Sequence, residues 1–226
     1  MSRGRTSIST SVRRYFIDKF FFSKEYLFTK GSRIIDIGGK KKKKRGLFNI
    51  DSYGAEVTYV NIDKEMEPDI LAYAEAIPVD NNSYDIAIMG EVLEHVPDPR
   101  LLMKEAYRIL KPGGKLIATI PFMIPVHADP HDFGRYTGTF WQQNAQTIGY
   151  REIEITNHGT MYAVLAYMLQ QFFNSRTPQQ MKRMYMRIIR KLIEYPLIYF
   201  LLRIDEKTEV PLIKAWTTGY GIVLTK

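Results

Sequence analysis

Short apolar runs bounded by glycine, proline or acidic residues recur along the chain. They predict strands at residues 33–37, 56–62, 69–71, 85–89, 115–120, 150–156 and 216–225. The run DIAIM at 85–89 is short and apolar enough for a central strand of a parallel sheet, which is covered on both faces. Strands of this kind are expected to form the core.

Other stretches repeat apolar residues at helical spacing. They predict helices at residues 11–28, 98–111, 139–147, 163–173 and 179–202. Asp98 and Pro99 supply an N-cap acid and a proline at the first helical position, and Pro112 with the two glycines after it ends that helix. Because strand and helix patterns alternate, the fold class is α/β with a doubly wound sheet.

The 226 residues and the 45% hydrophobic content fit one α/β domain. We expect a tail and a helix at 1–30 and the main domain at 31–226, with a helical insertion at about 160–204. Zero cysteines exclude disulfides, thiolate metal sites and cysteine nucleophiles. No apolar run approaches the roughly 20 residues of a membrane span, and no signal peptide is evident, so a cytoplasmic protein is expected.

The net charge of +8 is concentrated near the N-terminus. Residues 1–45 contain 14 Lys and Arg against three acids, whereas the remainder contains 18 against 21. Six consecutive cations at 40–45 repel one another, so they predict an exposed loop. An anionic substrate, nucleic acid and lipid headgroups remain alternatives to a merely solvated loop.

The glycine pair after the first strand is the first candidate binding feature. Gly38 and Gly39 permit a tight turn and the close approach of a ligand. Asp63 ends the next strand, and a carboxylate there can accept hydrogen bonds from both hydroxyls of a ribose. Together they indicate an adenosine-containing cofactor, without deciding which one.

Four blocks lie in order between Ile34 and Pro121: IIDIGG, VNID, EAIPVDNNSYDIAIMGEVLEHVPDP and LKPGGKLIATIP. In this order and spacing they resemble the class I S-adenosylmethionine (SAM)-dependent methyltransferases, and a weaker match continues through FWQQNAQTIGYREIEI. The resemblance implies a Rossmann-like sheet of about seven strands, mostly parallel with an antiparallel last strand, plus an N-terminal helix and a C-terminal helical cap. It also implies SAM as the cofactor. The stretch HADPHDFGRYT resembles bacterial members associated with polysaccharide and cell-envelope biosynthesis.

The resemblance also implies a set of cofactor-binding residues. These are Asp36, Gly38 and Gly39 at the methionine pocket, Asp63 at the ribose, Ala74 and Glu75 at the adenine edge, and Gly90 and Glu91 along the fourth strand. Two positions depart from the family pattern. Lys40 replaces the last glycine of the turn and adds a positive charge near a sulfonium. Tyr73 replaces a frequent acid, and its hydroxyl or ring could still contact an adenine.

The loop after the fifth strand carries the candidate catalytic groups, at the edge where α/β sheets bind ligands. They are His127, Asp129, His131, Asp132 and Arg135, followed by Tyr136. His127 or His131 is favoured as a base, and Arg135 could hold a phosphate or carboxylate. Alternatively, Asp132, Arg135 and Tyr136 only fasten the loop.

Histidine and aspartate in this order also suit a metal ion. Pro130 constrains the loop and no further ligand is evident elsewhere, so no metal centre is predicted. His95, in EVLEHV, is expected to have a structural role at a helix start.

The expected function is transfer of a methyl group from SAM to a small-molecule, glycan or lipid-linked acceptor, at oxygen or nitrogen. A non-catalytic SAM-binding protein is the main alternative, because of Lys40 and Tyr73. An RNA methyltransferase is less favoured, and a nicotinamide-dependent oxidoreductase is disfavoured because the turn lacks the Gly-x-Gly-x-x-Gly spacing. The basic and apolar C-terminal helices predict either peripheral membrane contact or a cap on the sheet or on another subunit. A homodimer remains open.

Overall fold

The computed structural model describes residues 11–42, 44–127, 131–175 and 190–226. Within them, one seven-stranded sheet has the order β3-β2-β1-β4-β5-β7-β6. Its strands are β1 (Arg33–Ile37), β2 (Glu56–Asn61), β3 (Ile70–Leu71), β4 (Tyr84–Gly90), β5 (Leu110–Pro121), β6 (Glu152–Asn157) and β7 (Gly219–Thr225). The predicted α/β class and the number of strands are confirmed.

The strand directions create one crevice at the middle of the sheet. β1 pairs in parallel with β2 on one side and with β4 on the other. The chain winds outward from β1 to β3 and then returns to β4, so the order reverses between β1 and β4. Ligands of open α/β sheets bind outside the carboxyl ends of the strands at such a reversal. β7 runs antiparallel to both β5 and β6, which confirms the predicted antiparallel last strand.

Helices cover both faces of the sheet. They are α1 (Val12–Ser23), α2 (Pro99–Ile109), α3 (Gly138–Ile148), α4 (Met161–Ser175), α5 (Tyr195–Asp205) and the short α6 (Pro211–Lys214). Phe20 and Phe21 of α1 pack on one face, in the same buried cluster as Ile88. Leu102 of α2 and Trp141 of α3 are buried on the other. No helix within the described ranges is long and apolar enough to cross a membrane.

The C-terminal helices form a cap beside α1. Val12 and Phe16 share a buried cluster with Ala163 of α4 and Ile198 of α5. Asp205, at the end of α5, accepts hydrogen bonds from the backbone N–H groups of Thr160 (2.8 Å) and Ala163 (2.9 Å). Since these bonds satisfy donors at the start of α4, they stabilise the contact between the two helices.

Several predicted boundaries differ from the structure. The helix predicted at 11–28 ends at Ser23, and a separate 3-10 helix follows at Glu25–Leu27. α2 ends at Ile109, and β5 begins at Leu110, which pairs with Tyr84. The register then shifts so that Lys115 pairs with Ile86, and the intervening proline and glycines bulge out of the strand. The residues predicted to stop a helix therefore belong to an irregular start of β5. At the other end of the chain, β7 begins at Gly219 rather than at residue 216.

Parts of the predicted tail and helical insertion lie outside the described residues. These parts are residues 1–10 and 176–189, the latter including the first 11 of the 24 residues of the helix predicted at 179–202. Where the structure resumes, a π-type turn at Arg190–Glu194 leads into α5, which continues to Asp205. The cap is thus described only by α4, α5 and α6.

Ion pairs fold the lysine-rich loop back over the ends of β2 and β3. Lys41 contacts Asp69 at 2.5 Å, and Lys42 contacts Glu67 at 2.6 Å. Both lysines are exposed, as predicted, and pairs of this kind contribute about 0–1 kcal/mol each. Lys43 lies outside the described residues.

Lys44 departs from the predicted exposure of this loop. It is half-buried and donates hydrogen bonds to Asp51, Asn49 and the Tyr59 hydroxyl. Because Asn49 and Asp51 flank the start of a short 3-10 helix (Ile50–Tyr53), Lys44 connects the loop to the segment that leads into β2.

Candidate functional site

The glycine turn lies at the crevice between the carboxyl ends of β1 and β4. Gly38 has a φ of +80°, and its N–H donates to the Val60 carbonyl of β2 at 2.8 Å. A Cβ on Gly38 would overlap Val92, and one on Gly39 would overlap the Asp36 carboxylate. Since both positions exclude a side chain, the turn brings bare backbone to the crevice, as the sequence predicted.

Asn61 fixes this turn and was not among the residues selected from the sequence. Its Nδ2 donates to the carbonyls of Gly38 (3.2 Å) and Gly39 (3.1 Å). Its Oδ1 accepts from the N–H of Asp63 at 2.9 Å. One amide side chain therefore sets the position of the glycine turn relative to the predicted ribose-binding acid. In the sequence, this residue can be recognised as the asparagine of VNID, two positions before Asp63.

Asp36 is half-buried below the turn. Loss of hydration raises the pKa of this carboxyl to about 7, although the positive charge of Lys44 acts in the opposite direction. Both protonation states are consequently populated near neutral pH. A cationic group placed in the crevice would favour the ionised form.

The other predicted cofactor residues lie at the same edge of the sheet. Asp63 is exposed, and one of its oxygens accepts from the N–H of Glu65 at 2.9 Å, which leaves the second oxygen for a ligand. Ala74 and Glu75 are half-buried just after β3. Tyr73 is 72% exposed, so its ring is open to solvent or to a ligand.

Glu91 follows β4 and is held by an arginine of α1 that sequence reasoning did not select. Gly90 ends the strand, and Glu91 has a φ of +59° while its N–H donates to the Thr119 carbonyl at 2.9 Å. Arg13 donates from Nε to Oε2 of Glu91 at 3.0 Å and from Nη2 to Oε1 at 2.5 Å. Burial opposes ionisation, but the guanidinium charge holds the pKa of Glu91 below its ordinary value.

The same arginine also contacts a buried histidine. Nη1 of Arg13 lies 2.7 Å from Nδ1 of His158, which directly follows β6. A guanidinium can only donate, so Nδ1 of His158 accepts and the ring is neutral. Burial, reinforced by the charge of Arg13, lowers the pKa of His158 well below its ordinary value. Arg13 therefore connects α1, the end of β4 and the end of β6.

In the loop after β5, an ion pair between Asp132 and Arg135 fixes the backbone. Nη2 of Arg135 donates to Oδ2 of Asp132 at 2.6 Å, and Nη1 donates to Oδ1. Asp132 also accepts from the N–H of His127 at 2.9 Å. Hydrogen bonds from Arg135 lower the pKa of Asp132 to about 2. This geometry favours the alternative in which the pair fastens the loop. Asp129 lies outside the described residues.

The loop docks on the 3-10 helix that follows β4, Leu93–His95. Phe133 donates its N–H to the carbonyl of Glu94 at 2.8 Å, and Nδ1 of His95 donates to the carbonyl of His131 at 2.6 Å. The His131 ring itself is exposed and contacts Phe133. The rings of His95 and His127 meet edge to face, with centroids 5.2 Å apart. Of the two candidate histidines, His127 is the one whose ring lies against the rest of the site.

Glu94 was not selected from the sequence, yet it is the most deeply buried acid of this region, with 0% exposure. Burial, together with the negative charge of Glu91, raises its pKa to about 8. The charge interaction indicates that Glu94 lies near Glu91. EVLEHV therefore brings two carboxylates with different environments to one site.

Comparison with known proteins places this fold in a class. The family described as a methyltransferase domain matches residues 44–118. A SAM-dependent methyltransferase from Archaeoglobus fulgidus superimposes with a TM-score of 0.58 at 15% identity, over 94% of each chain. Phosphoethanolamine N-methyltransferase 2 of Haemonchus contortus, solved with S-adenosyl-L-methionine, gives a TM-score of 0.57 at 16% identity, over 92% of this chain and 52% of that one. The fold is that of the SAM-dependent methyltransferases.

The sequence is also similar to that of a curated methyltransferase. Ubiquinone biosynthesis O-methyltransferase of Pseudomonas putida (strain W619) is 37% identical over 82 residues, which are 36% of this chain and 31% of that protein. The matched region thus spans about a third of the curated relative. The resemblance inferred from the sequence blocks is confirmed: residues 44–118 match the family described as a methyltransferase domain, and the fold matches that of a SAM-dependent methyltransferase structure.

Proposed function

We propose that this protein is a SAM-dependent methyltransferase that acts on a small-molecule acceptor. The observation that carries the proposal is the crevice at the strand reversal. There the glycine turn, Asp36 and Asp63 occupy one edge of the sheet, and the turn brings bare backbone to the crevice, because a Cβ on Gly38 or Gly39 would overlap Val92 or the Asp36 carboxylate. The match of residues 44–118 to the methyltransferase domain supports SAM as the cofactor.

Each residue of the crevice has a role that its chemistry suits. The glycine turn admits the amino-acid end of the cofactor, and ionised Asp36 balances that end's ammonium charge. The free oxygen of Asp63 accepts from the ribose, and Asn61 keeps both features in register. Bound SAM supplies an already activated methyl group, so the residues of the chain mainly bind, orient and exclude water.

A hydroxyl acceptor must also lose a proton. The loop after β5 supplies the groups for this step, with His127 and His131 as the candidates. The acceptor class extends in this proposal to glycans and lipid-linked molecules. A non-catalytic SAM-binding protein is the second candidate, favoured by Lys40, which is half-buried directly beside the turn.

The outer surface of the cap supports contact with a membrane surface. Tyr195, Leu197, Tyr199 and Phe200 of α5 are exposed, while Ile198 and Leu202 on its other side are buried. An amphipathic helix of this kind can lie in a bilayer interface. Phe200→Ser should reduce cosedimentation with anionic vesicles, whereas Leu101→Ser, at an exposed position of α2, should not. If neither variant changes cosedimentation, the cap is not a membrane contact.

Calorimetry with S-adenosylhomocysteine tests the cofactor proposal directly. Asp63→Ala should weaken binding at least about 10-fold, because charge-assisted hydrogen bonds contribute about 1.5–3 kcal/mol each. Lys42→Ala is the matched control, since Lys42 forms only an exposed ion pair with Glu67, and it should change affinity less than about 2-fold. No binding by the wild type at millimolar ligand would refute the proposal. Binding without turnover on any acceptor would favour the non-catalytic candidate.

A further inference from the structure

Glu94 is a fully buried acid beside the loop that follows β5. Neither of its side-chain oxygens has a hydrogen-bond partner among the described residues. An acid in this state is costly, because buried polar groups normally gain a hydrogen bond, an opposite charge or a metal ion. The side chain therefore indicates a ligand that belongs at this position.

Two imidazoles lie beside this carboxylate. Nε2 of His95 is 3.6 Å from Oε1 of Glu94. One ligand atom from each of Glu94, His95 and His127 can be chosen so that all three lie within 4.8 Å of one another. Two ligands of a tetrahedral zinc ion are about 3.4 Å apart, given bond lengths of about 2.0–2.1 Å. Side-chain shifts of about 1 Å would therefore bring the three atoms to coordination distance.

The hydrogen bonds around the two rings orient them for metal binding. Nδ1 of His95 donates to the carbonyl of His131 at 2.6 Å, so Nε2 keeps its lone pair and points to Glu94. Two acceptors face Nδ1 of His127: the Pro125 carbonyl at 3.3 Å and Asp132 at 3.5 Å. These two acceptors favour a proton on Nδ1, while Nη2 of Arg135, which lies 3.4 Å from the same atom, is already bonded to Asp132. Metal-binding histidines are commonly oriented by a backbone carbonyl or carboxylate in this way.

We propose that Glu94, His95 and His127 bind one divalent first-row transition-metal ion, with Zn²⁺ as the simplest candidate. Two imidazoles and one carboxylate form a donor set of catalytic metal sites, which keep a coordination position open. His127 is 43% exposed, so an ion can enter from the loop side. The nearby cations do not oppose the site strongly, because Arg13 is paired with Glu91 and Arg135 with Asp132.

The ion gives the site a preference for an oxygen acceptor, a step that rests on the proposed methyltransferase function. A hydroxyl at the open position would lose its proton more readily, to His131 or to water. Its oxygen would then form the new bond to the methyl carbon, while the carbon–sulfur electron pair leaves with S-adenosylhomocysteine. In this arrangement His127 is a ligand rather than the base.

Metal titration of the full chain tests the site. After treatment with a chelator and its removal, the wild type should take up one equivalent of Zn²⁺, and Zn²⁺ should raise its melting temperature. Glu94→Gln, His95→Ala and His127→Ala should each bind at least 10-fold more weakly. His131→Ala is the matched control for metal uptake, because only its backbone carbonyl contacts the cluster. Glu94→Gln keeps the shape of the buried side chain, so its folding should be retained.

Two measurements on the same samples distinguish a failure of the metal site from a failure of the proposed methyltransferase function. Uptake well below one equivalent by the wild type, or undiminished uptake by Glu94→Gln and His127→Ala, would overturn the metal site. S-adenosylhomocysteine binding is measured on the same metal-free samples. If that ligand binds while Zn²⁺ does not, only the metal site fails; if Zn²⁺ binds as expected and that ligand does not, only the proposed cofactor fails.

Discussion

Replacement of Arg13 by methionine tests whether α1 is part of the candidate site. Methionine keeps much of the apolar stem and removes the guanidinium. The change leaves the Glu91 carboxylate without its two charge-assisted hydrogen bonds, and it leaves Nδ1 of His158 without its donor. The side chains of Arg13 and Glu91 are only 6% and 17% exposed, so water cannot replace these contacts easily.

The expected loss of stability follows from that burial. Removing one partner of a buried ion pair costs about 3–5 kcal/mol. We expect the lower end, about 3 kcal/mol, because Glu91 keeps some access to water. For a chain of this size, that loss corresponds to a decrease in melting temperature of about 6–12 °C.

Chemical denaturation of the wild type, Arg13→Met, Glu91→Gln, the double variant and one control measures the effect. The double variant Arg13→Met with Glu91→Gln removes both charges, so it should recover at least about 1 kcal/mol relative to the sum of the single variants. Lys42→Met is the matched control, because the side chains of Lys42 and Glu67 are 72% and 60% exposed. Its cost should be below about 1 kcal/mol.

Two results would refute this reasoning. A cost below about 1 kcal/mol for Arg13→Met would mean that water reaches Glu91 in the folded protein. Strict additivity in the double variant would mean that the two side chains are not coupled, whatever their distance.

Four further predictions concern the crevice, its loop and the buried histidine. Gly39→Ala should weaken S-adenosylhomocysteine binding at least 10-fold in calorimetry, since its Cβ would overlap Asp36. The affinity for that ligand should increase as the pH rises towards and through about 7, where Asp36 loses its proton, and Asp36→Asn should remove this dependence. His127→Ala and His131→Ala should each reduce turnover without changing that affinity; wild-type rates in both would place the base elsewhere. His158 has a folded pKa below its unfolded value, so its contribution to stability is present above about pH 6.5 and decreases as the pH falls below that value; His158→Gln should flatten the acid side of the denaturation profile.

Local sequence patterns were sufficient to predict most strands of the sheet. Two glycines follow β1, and the structure shows that the turn they form has no room for side chains. The residue types alone were therefore enough to predict this turn. The N-cap at Asp98 is equally local, with its side chain accepting from the N–H of Arg100 at 3.0 Å. The bulge at the start of β5 was missed because proline and glycine suit a helix stop and an irregular strand equally well.

Arg13 and Glu94 were not selected from the sequence, because their positions in the site depend on contacts between distant segments. Arg13 and Glu91 are 78 positions apart, and neither has a neighbour in sequence that predicts the other. Glu94 was not selected, because no local pattern shows that a loop more than 30 residues later carries His127 back to it and to His95. Tertiary pairing of this kind becomes visible only when the strand order is known.

The position of β7 has a consequence for how the chain folds. β6 has β7 as its partner in the sheet, and β7 is inserted between β5 and β6. Residues 152–157 therefore leave the ribosome about 60 residues before the strand that pairs with them. Until then, β6 is a detached segment and β5 has one open edge, which is vulnerable to pairing with other chains. The sheet is completed late, by a pairing between β5 and β7 that spans about 100 residues, and such long-range pairing favours slow folding.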